Sequence, residues 1–448
     1  MLLYEYENEK GCERMIYGID LGTTNSLIGV HGQFLSEIVP SIVNTETGEA
    51  GNSQRKNYNT ERGFKVGMTT DIAGALPVFA SSCVLKELKR TVGLTGAIDA
   101  VISVPAYFNN AQRNATVKAA KAADINVKAL INEPTAASVI INENKNGVSV
   151  VFDLGGGTFD ISVIESMNGK HRVLATDGCI LGGNNFDAAL LSVLAEQVNL
   201  GWRLEGDKKA LDTVCDAKIT MSHPLNNKED VIVNFVDHGA ITKLSFDTYM
   251  ECMKRTFAKT VTLTNSVLDE AGVDRSSCAF YFVGGSTKSS FLREWVANEV
   301  GVVPAPITYD PDRVVAEGAC YYAKLVEEGA ASEVLSDISK IIGFGLGNGL
   351  LEVLVPKNAN LPYVGTTTHI ASYDTAVEQF TLKFYQGDSI IVDECELLGE
   401  MKFKFSEIKE PGDSVFDVDV LVDINGLVTI KCSEILQKPQ TLTMEVTK

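Results

Sequence analysis

Three consecutive glycines, Gly155, Gly156 and Gly157, interrupt the apolar segment VVFDLGGGTFDISVI at residues 150–164. Glycine has no Cβ, so a turn built from it tolerates positive φ angles and leaves its backbone N–H groups open to a ligand. The flanking residues alternate between apolar and polar in the manner of strands. We therefore predict a strand, a glycine turn and a second strand, with the carboxylates of Asp153 and Asp160 on either side of the turn.

The same pattern occurs earlier in the chain, in YGIDLGTTNSLIGV at residues 17–30. Both segments consist of an apolar strand, the tripeptide Asp-Leu-Gly, a short turn and a second apolar strand. Repeats of this kind indicate a duplicated structural unit. We expect the two turns to face each other, so that one ligand is held from both sides.

The residue types at these turns favour a nucleotide bound with a metal ion. Backbone N–H groups of a glycine turn can converge on phosphate oxygens. The carboxylates of Asp20, Asp153 and Asp160 suit Mg²⁺, which takes few direct protein ligands. The alternative is that both turns are ordinary tight turns. Two other nucleotide signatures are missing: the chain has no G-x-x-x-x-G-K-[ST], and GFGLGNG at residues 343–349 does not satisfy G-x-G-x-x-G.

Strand and helix patterns alternate through the first three quarters of the chain and predict an α/β layout. Residues 186–222 and 246–270 read as mainly helical. Near residue 285 a strand should end at Gly284 and Gly285, with a helix beginning at Ser286 or Thr287. After residue 330 a short polar segment, GAASEVLSDISK, has the composition of a linker. Residues 341–448 then alternate as strands and predict a separate β domain.

Composition excludes several classes of protein. The 448 residues include 58 acidic and 39 basic side chains, a formal net charge of −19, which argues against nucleic acid or an anionic membrane as a partner. The first residues, MLLYEYENEKGCER, lack the basic start and apolar core of a signal peptide. Nine cysteines show no metal-ligand spacing and suit buried thiols in a reducing compartment. We expect a cytoplasmic protein.

Six motifs carry a resemblance to a known family: GIDLGTTNS, VISVPAYFNNAQRNAT, INEPTAAS, VFDLGGGTFDIS, LGGNNFD and FVGGSTK. Their order and spacing resemble the seventy-kilodalton heat-shock chaperone family, and the β domain follows that family through YQGD and DINGLVTI. The resemblance implies an α/β fold, in which a two-lobed actin-like (ribonuclease-H-like) ATPase domain is followed by an all-β sandwich. The implied boundaries are 1–329 for the ATPase domain, 330–340 for the linker and 341–448 for the peptide-binding sandwich, without a helical lid.

The resemblance also assigns roles to matching positions. It implies ATP or ADP and Mg²⁺ as cofactors. The implied phosphate contacts are Gly22, Thr23, Thr24, Gly155, Gly156, Gly157, Thr158, Gly182 and Gly183. The implied adenosine contacts are Lys218, Ser222, Gly284, Gly285 and Lys288. The implied Mg²⁺ site comprises Asp20, Asp153 and Asp160, and the implied catalytic residues are Lys65, Glu133, Asp153 and Thr158. Pro105 and Arg113 match the pair that relays nucleotide state toward the linker.

Departures from the family pattern concern both ends of the nucleotide site. The region between Pro40 and Ser81 is shorter than in the family, and RGFKVGM supplies Lys65 as the candidate for the lysine that orients the nucleophile. The alternative is a surface lysine at 65. Lys288 stands where the family has an arginine, and Cys215 where it has a glutamate. Because lysine lacks a planar guanidinium, we expect a lower nucleotide affinity.

In the β domain the resemblance places Gly347, Tyr373, Phe380 and Leu382 at the peptide pocket. Phe380 replaces a small branched residue, so its ring would occupy space meant for a peptide side chain. The alternative is that Phe380 turns into the sandwich core. The linker segment EVLSDIS also lacks the continuous leucine run of the family.

These observations favour an ATP-dependent molecular chaperone that couples ATP binding and hydrolysis to binding of exposed apolar peptide segments. The expected partners are unfolded or extended polypeptides, with a J-domain co-chaperone and a nucleotide exchange factor; nucleic acid and membrane are not expected. The alternative is a nucleotide-switched protein-interaction module without a functional peptide clamp. A sugar or acetate kinase of the same superfamily lacks support, because those enzymes have no β sandwich of this kind appended.

Overall fold

The computed structural model describes residues 15–55, 57, 59–68, 75–142, 145–331, 334–335, 337–370, 377–409, 415–434 and 442–445. Within them the chain forms two α/β lobes followed by a β sandwich. This arrangement confirms the fold class expected from the sequence.

The first lobe is built on a mixed sheet in the order β3-β2-β1-β7-β8, with β4 also paired to β2. β1 and β2 form the antiparallel hairpin predicted around the first Asp-Leu-Gly, and β7 runs parallel to β1. The strands of this part of the chain are β1 (Ile16–Leu21), β2 (Asn25–Val30), β3 (Phe34–Leu35), β4 (Val39–Pro40), β5 (Ile42–Val43), β6 (Glu61–Arg62), β7 (Ile98–Val104) and β8 (Ile125–Asn132).

The second lobe repeats the design with a sheet in the order β14-β9-β10-β11-β15. β9 and β10 form the second predicted hairpin, and both are buried on both faces. The strands of this part are β9 (Gly147–Leu154), β10 (Phe159–Met167), β11 (Lys170–Cys179), β12 (Val231–Phe235), β13 (Ala240–Leu244), β14 (Ala279–Val283) and β15 (Val334–Leu335).

Nine α-helices in the described residues surround these sheets. Their bounds are Ala75–Thr91, Asn110–Ala122, Glu133–Ile141, Gly183–Gln197, Gly201–Leu204, Lys208–Ser222, Phe246–Ala271, Ser290–Val300 and Val314–Glu327. One expected helix start is wrong. Gly285–Lys288 forms a 3-10 turn, and the following helix begins at Ser290, because the side chain of Ser289 rather than that of Ser286 or Thr287 accepts from the backbone N–H of Leu292.

The two lobes meet along a pair of helices, Glu133–Ile141 and Val314–Glu327, which pack against each other through small residues. A Cβ at Gly318 would lie 1.8 Å from the carbonyl oxygen of Ala136, and one at Gly18 would lie 2.2 Å from the backbone nitrogen of Cys320. Glycine at both positions therefore permits backbone-to-backbone contact. This close approach brings the two duplicated hairpins to the same cleft.

The third part of the chain is a sandwich of two four-stranded antiparallel sheets, in the orders β18-β17-β21-β22 and β20-β23-β24-β25. Alternating side chains such as Phe384, Phe403, Val418 and Ile430 form the core between the sheets. The strands are β16 (Asp337–Ile338), β17 (Ile341–Gly345), β18 (Leu351–Val355), β19 (Ala359–Asn360), β20 (Tyr363–Ile370), β21 (Val377–Gly387), β22 (Glu396–Lys409), β23 (Val415–Val422), β24 (Val428–Glu434) and β25 (Leu442–Glu445).

The eight cysteines among the described residues are free thiols. Four of them are buried, and Cys179, Cys215, Cys278 and Cys395 are partly exposed, so the expectation of buried thiols holds for only some of them. In the part of the chain that the structure describes, no helix combines the length and the apolar character needed to cross a membrane.

Candidate functional site

The two glycine turns face each other across the cleft, as the duplication predicted. A Cβ at Gly156 would lie 1.9 Å from Thr24 Oγ1, and one at Gly157 would lie 2.4 Å from Thr23 Cγ2. The turn of the second lobe therefore touches the turn of the first lobe, and a larger residue at either glycine would force the lobes apart. Only glycine fits at the point where the turns meet.

A third turn closes the same end of the cleft. The backbone nitrogens of Gly183 and Asn184 donate to the carbonyl oxygens of Gly155 and Gly156 at 3.0 and 2.7 Å. A Cβ at Gly182 would lie 2.5 Å from the carbonyl carbon of Gly156. Gly182 and Gly183 also begin the helix Gly183–Gln197, whose N-terminal N–H groups attract anions.

Three aspartates lie at the base of the opposed turns. Asp153 and Asp160 are directly opposite each other in the β9–β10 ladder, and Asp20 is the equivalent residue of β1. Asp20 Oδ1 accepts a hydrogen bond from Ser103 Oγ at 2.6 Å. Asp160 Oδ1 accepts one from the backbone nitrogen of Ala106 at 2.6 Å.

Crowding and burial raise the pKa of each of these acids. Burial, followed by repulsion from Glu133, raises the pKa of Asp20 to about 6. The same two causes hold the pKa values of Asp153 and Asp160 well above the usual range, and the negative charges of neighbouring acids add to the shift of Asp153. The site is therefore short of positive charge, as expected of a site that receives a cation.

Lys65 lies inside this cluster and not at the surface. Its side chain is 1% exposed, and its Nζ is 2.6 Å from Glu133 Oε1. The 3-10 turn Phe64–Gly67 carries it into the cleft. One lysine therefore faces four carboxylates, those of Asp20, Glu133, Asp153 and Asp160, and one of the four is paired with it.

The residues present fit a hydrated Mg²⁺. Asp160 is buried, and its Oδ2 has no hydrogen-bond partner among the described residues. In the same residues no three His, Cys, Asp or Glu side chains are grouped closely enough to hold an ion by themselves. Water and phosphate oxygens would therefore complete the coordination, in keeping with the preference of Mg²⁺ for few direct protein ligands.

The cleft opens into a cavity of about 260 Å³. Most of the predicted contacts line it, and the remaining Gly157, Gly182, Asp160 and Lys65 each adjoin a lining residue. The predicted residues that line the cavity are Asp20, Gly22, Thr23, Thr24, Glu133, Asp153, Gly155, Gly156, Thr158, Gly183, Lys218, Ser222, Gly284, Gly285 and Lys288.

At the far end of the cavity the two predicted lysines are each held by an aspartate. Lys218 Nζ lies 2.6 Å from Asp187 Oδ1, and Lys288 forms an ion pair with Asp312. Cys215 lines the same wall, and burial raises the pKa of its thiol to about 11. A neutral thiol thus occupies the position where the resemblance implies a carboxylate.

The sequence reasoning missed several lining residues, among them Asp187, Ile219, Ser286 and Asp312. Ser286 Oγ donates to the carbonyl oxygen of Gly155 at 2.8 Å and ties the turn that follows β14 to the glycine turn. Ile219 follows Lys218, and its 56% exposure marks it as an apolar side chain open to the cleft. Ser286 and Ile219 could have been found from the sequence because they are next to residues that match the family motifs. No sequence feature pointed to Asp312.

Comparison with known proteins agrees with this geometry. The family model described as Hsp70 protein matches residues 60–448. The chain belongs to the Hsp70 family.

Named relatives extend the match over most of the chain. A protein named "Chaperone protein HscA homolog" from Pseudomonas putida is 30% identical over 483 aligned residues, which cover 94% of this chain and 76% of the relative. A "Chaperone protein HscA" from Salmonella newport is 31% identical over 478, with the same coverage. Membership in the Hsp70 family makes this chain an ATP-dependent molecular chaperone, and nothing found here favours the alternative of an interaction module without a peptide clamp.

In this Hsp70 chain the β domain is docked on the ATPase lobes. Asn425, in the turn between β23 and β24, accepts from the backbone nitrogen of Leu130 through its Oδ1 at 2.7 Å. Asn110 Oδ1 accepts from the backbone nitrogen of Val428 at 3.0 Å, and the backbone nitrogen of Asn110 donates to Gln386 Oε1 at 3.1 Å. These bonds are buried or partly buried and join the first lobe to both sheets of the sandwich.

Arg113 connects this interface to the nucleotide cleft. The side chain is 2% exposed. Its guanidinium donates to Asn132 Oδ1 at 2.7 Å and to the carbonyl oxygen of Asn425 at 3.2 Å. Asn132 directly precedes Glu133, so one side chain links the segment of Glu133 to the β domain. Pro105, the other predicted relay residue, is also buried and directly precedes Ala106, which donates to Asp160.

Part of the segment predicted as the linker joins the second-lobe sheet. β15, formed by Val334 and Leu335, pairs in parallel with β11 at His171 and Arg172. Val334 is buried in the cluster between the lobes. On the other side, Ser339 Oγ donates to the carbonyl oxygen of Ala106 at 2.9 Å. Both ends of the short linker are therefore fixed to the ATPase lobes.

The predicted peptide residues Gly347, Phe380 and Leu382 line one cavity of about 360 Å³ in the β domain. The fourth, Tyr373, lies outside the described residues. Phe380 is half-buried, packs on the sandwich core and stacks on Phe416 with ring centroids 5.8 Å apart. Its ring therefore forms part of the cavity wall, and open space remains beside it.

Proposed function

We propose that the chain hydrolyses ATP in the cleft between its lobes and uses the nucleotide state to control peptide binding by its β domain. The observation that carries the proposal is the buried Lys65–Glu133 pair, which lies beside three acids at the base of the two opposed glycine turns. A buried excess of carboxylates is costly for folding. Because these carboxylates lie beside the glycine turns that we propose bind phosphate, we interpret the cluster as catalytic. We take residues 1–329 as the ATPase domain, 330–340 as the linker and 341–448 as the peptide-binding domain.

The proposed chemistry is transfer of the terminal phosphoryl group to water. Glu133 accepts a hydrogen bond from the attacking water, and Lys65 offsets negative charge on the transferred group. Backbone N–H groups of Gly156 and Thr24 hold the phosphate oxygens, and Thr158 adds a hydroxyl at the same turn. The N–H of Gly155 donates to the carbonyl oxygen of Thr158 at 3.0 Å, so Gly155 contributes the close approach that its missing Cβ permits. When bound, Mg²⁺ would neutralise negative charge on the phosphates, and Asp20, Asp153 and Asp160 would hold it.

At the adenosine end, Lys218, Ser222, Gly284, Gly285 and Lys288 form the binding surface. We expect Lys288 to bind the base less well than an arginine would, because it has no planar guanidinium to stack. The ion pair with Asp312 holds the lysine at the cavity wall, so its aliphatic stem supplies the contact.

In the β domain, Gly347, Tyr373, Phe380 and Leu382 are the proposed peptide contacts, and the partners are unfolded or extended polypeptides. Pro105 and Arg113 carry the nucleotide state to the docked β domain and the linker. By analogy with the family, we also propose a J-domain co-chaperone and a nucleotide exchange factor as partners.

The decisive test is ATP turnover measured with and without an unfolded polypeptide, with Mg²⁺ and with EDTA. We expect Mg²⁺-dependent turnover that the polypeptide stimulates. An ATP turnover rate that does not change when the polypeptide is added would contradict the proposed coupling and favour a nucleotide-switched interaction module. Absence of turnover with intact nucleotide binding would contradict the proposed hydrolysis.

A further inference from the structure

The cavity of the β domain is too large to be a packing defect. Protein interiors contain few voids larger than a water molecule, whereas this one measures about 360 Å³, within the lower range of ligand pockets. Three phenylalanine rings, those of Phe344, Phe380 and Phe416, line it together with Leu346 and Val392. A cavity with such walls suits an apolar side chain of a ligand.

The rim of the cavity extends the apolar surface. Leu346, Leu350, Ile390 and Ile391 are each between 37% and 54% exposed. Backbone contacts join their two segments: Leu351 donates to the carbonyl oxygen of Ile390 at 2.7 Å, and Leu350 forms a bridge with Ile391. A bound segment therefore contacts aliphatic side chains on the rim as well as the aromatic wall.

The charge at the cavity is opposite to that of the chain. The protein carries a net charge of −19, yet among the described residues that line the cavity none is a carboxylate. The lining residues with basic side chains are Lys383 and His369. His369 Nε2 lies 2.9 Å from Thr367 Oγ1, and its ring meets the Phe344 ring edge-on at 4.7 Å.

The cross-strand neighbour of Lys383 is engaged by another lysine. The register places Lys383 opposite Glu400, and the carboxylate of Glu400 lies 2.7 Å from Lys402 Nζ. Two lysines therefore share one glutamate on this surface of β21 and β22. The acids next to lining residues in sequence are Asp393, which follows Val392 and is exposed, and Asp417 and Asp419, on either side of Val418. Asp417 and Asp419 accept hydrogen bonds from the hydroxyls of Thr368 and Thr366.

We infer that the client segment of this chaperone is an extended peptide in which an acidic residue flanks the apolar anchor. The inference rests on the proposed function and specifies its substrate class. The apolar side chain enters the cavity against Phe344, Phe380 and Phe416, and the flanking carboxylate lies near Lys383 and His369. Opposite charges across a contact select partners and register more than they add affinity, so the effect is a preference among apolar peptides.

The test is fluorescence anisotropy with three peptides that share a leucine-rich centre and carry flanking Glu, Gln or Lys. Measurements in about 0.15 M salt screen charges beyond roughly 8 Å, so the net charge of the protein contributes little. With ADP present, we expect the Glu peptide to bind about two- to fivefold more tightly than the Gln peptide, the range for one exposed ion pair. The Lys peptide should bind more weakly than either.

Two exposed lysines provide the variant and its matched control. Lys383→Glu should reverse the order of the three peptides, whereas Lys431→Glu, at an exposed position of β24 outside the cavity lining, should keep it. Thermal melting of both variants confirms that they are folded. Equal affinities for the three peptides, or a preference for the Lys peptide in the unmodified chain, would overturn this inference and leave the proposed function standing. Failure to bind any of the peptides would overturn the proposed function and the inference with it.

Discussion

The guanidinium of Arg113 donates to the carbonyl oxygen of Asn425, a residue 312 positions further along the chain. The turn that presents this oxygen packs closely against Arg113, since a Cβ at Gly426 would lie 3.0 Å from Arg113 Nε. Asn425 at the same time accepts from Leu130, two residues before Asn132, the other acceptor of Arg113. Docking of the β domain and the position of the Glu133 segment therefore share one set of hydrogen bonds.

Asn425→Ala should weaken the coupling between peptide and ATP while leaving the cleft intact. The variant loses the side-chain acceptor of the Leu130 N–H, and one such bond is worth about 1 kcal/mol. We expect the stimulation of ATP turnover by an unfolded polypeptide to fall by about fivefold, with basal turnover close to that of the unmodified chain. Asn234→Ala, at an exposed position of β12, is the control. A variant that is stimulated as before would contradict a coupling role for this turn.

Asp20→Asn should raise stability and lower ATP turnover. The pKa of Asp20 is raised from 3.8 to about 6 in the folded protein, so its ionisation opposes folding. As the pH rises from about 4 to about 6, the folded state holds the proton that the unfolded state has released, and the free energy of unfolding declines. At pH 7 without Mg²⁺, the variant should melt at a higher temperature, by about 2–4 °C for each kcal/mol regained.

In the same Asp20→Asn variant, Mg²⁺-dependent ATP turnover should decrease by about 10²-fold, because the neutral side chain no longer attracts the cation. The hydrogen bond from Ser103 can persist, since the amide oxygen accepts as the carboxylate does. Differential scanning fluorimetry across pH 4–8 and a coupled ATPase assay check the two parts. Normal turnover, or a lower melting temperature without metal, would remove Asp20 from the proposed site.

Lys65→Ala should affect both turnover and stability. Removal of the lysine leaves Glu133 buried without its partner at 2.6 Å, and breaking a buried ion pair in this way costs about 3–5 kcal/mol. We expect turnover to decrease by about 10²-fold or more, with nucleotide binding retained. The double variant Lys65→Ala/Glu133→Ala should regain part of the melting temperature but none of the activity. Recovery of activity in the double variant would mean that the pair acts only in folding.

Phe380→Val separates the two interpretations of the pocket. The ring stacks on Phe416 and packs on the core, so its loss should destabilise the β domain by about 1–2 kcal/mol. The wider cavity should then favour a bulkier anchor, such as phenylalanine, over leucine. Peptide titration and thermal melting measure the two effects. Tighter binding of a leucine-rich peptide without loss of stability would instead support the sequence-based interpretation, in which the ring fills the pocket.

The glycine turns and their aspartates could be predicted because their constraints are local. Gly156 must lack a Cβ to meet Thr24, and Asp153 follows a buried strand, so each leaves a signal in a few neighbouring residues. Lys65 was found only through the resemblance, since a lysine in a polar segment looks like any surface lysine until the fold buries it. The sequence could not predict the contacts made by Asp187, Asp312 and Asn425. Each contacts a residue that is distant in sequence and comes close only after the chain has folded.

The pairing of Val334 and Leu335 with β11 has a consequence for self-association. A strand at the border of a sheet presents unsatisfied N–H and C=O groups that can recruit a second molecule. Two linker residues cover that border in the docked arrangement, so each detachment of the linker uncovers a template for another chain. The uncovered stretch is short and carries Arg172, features that limit such recruitment. The linker between the domains therefore also limits self-association through the edge of β11.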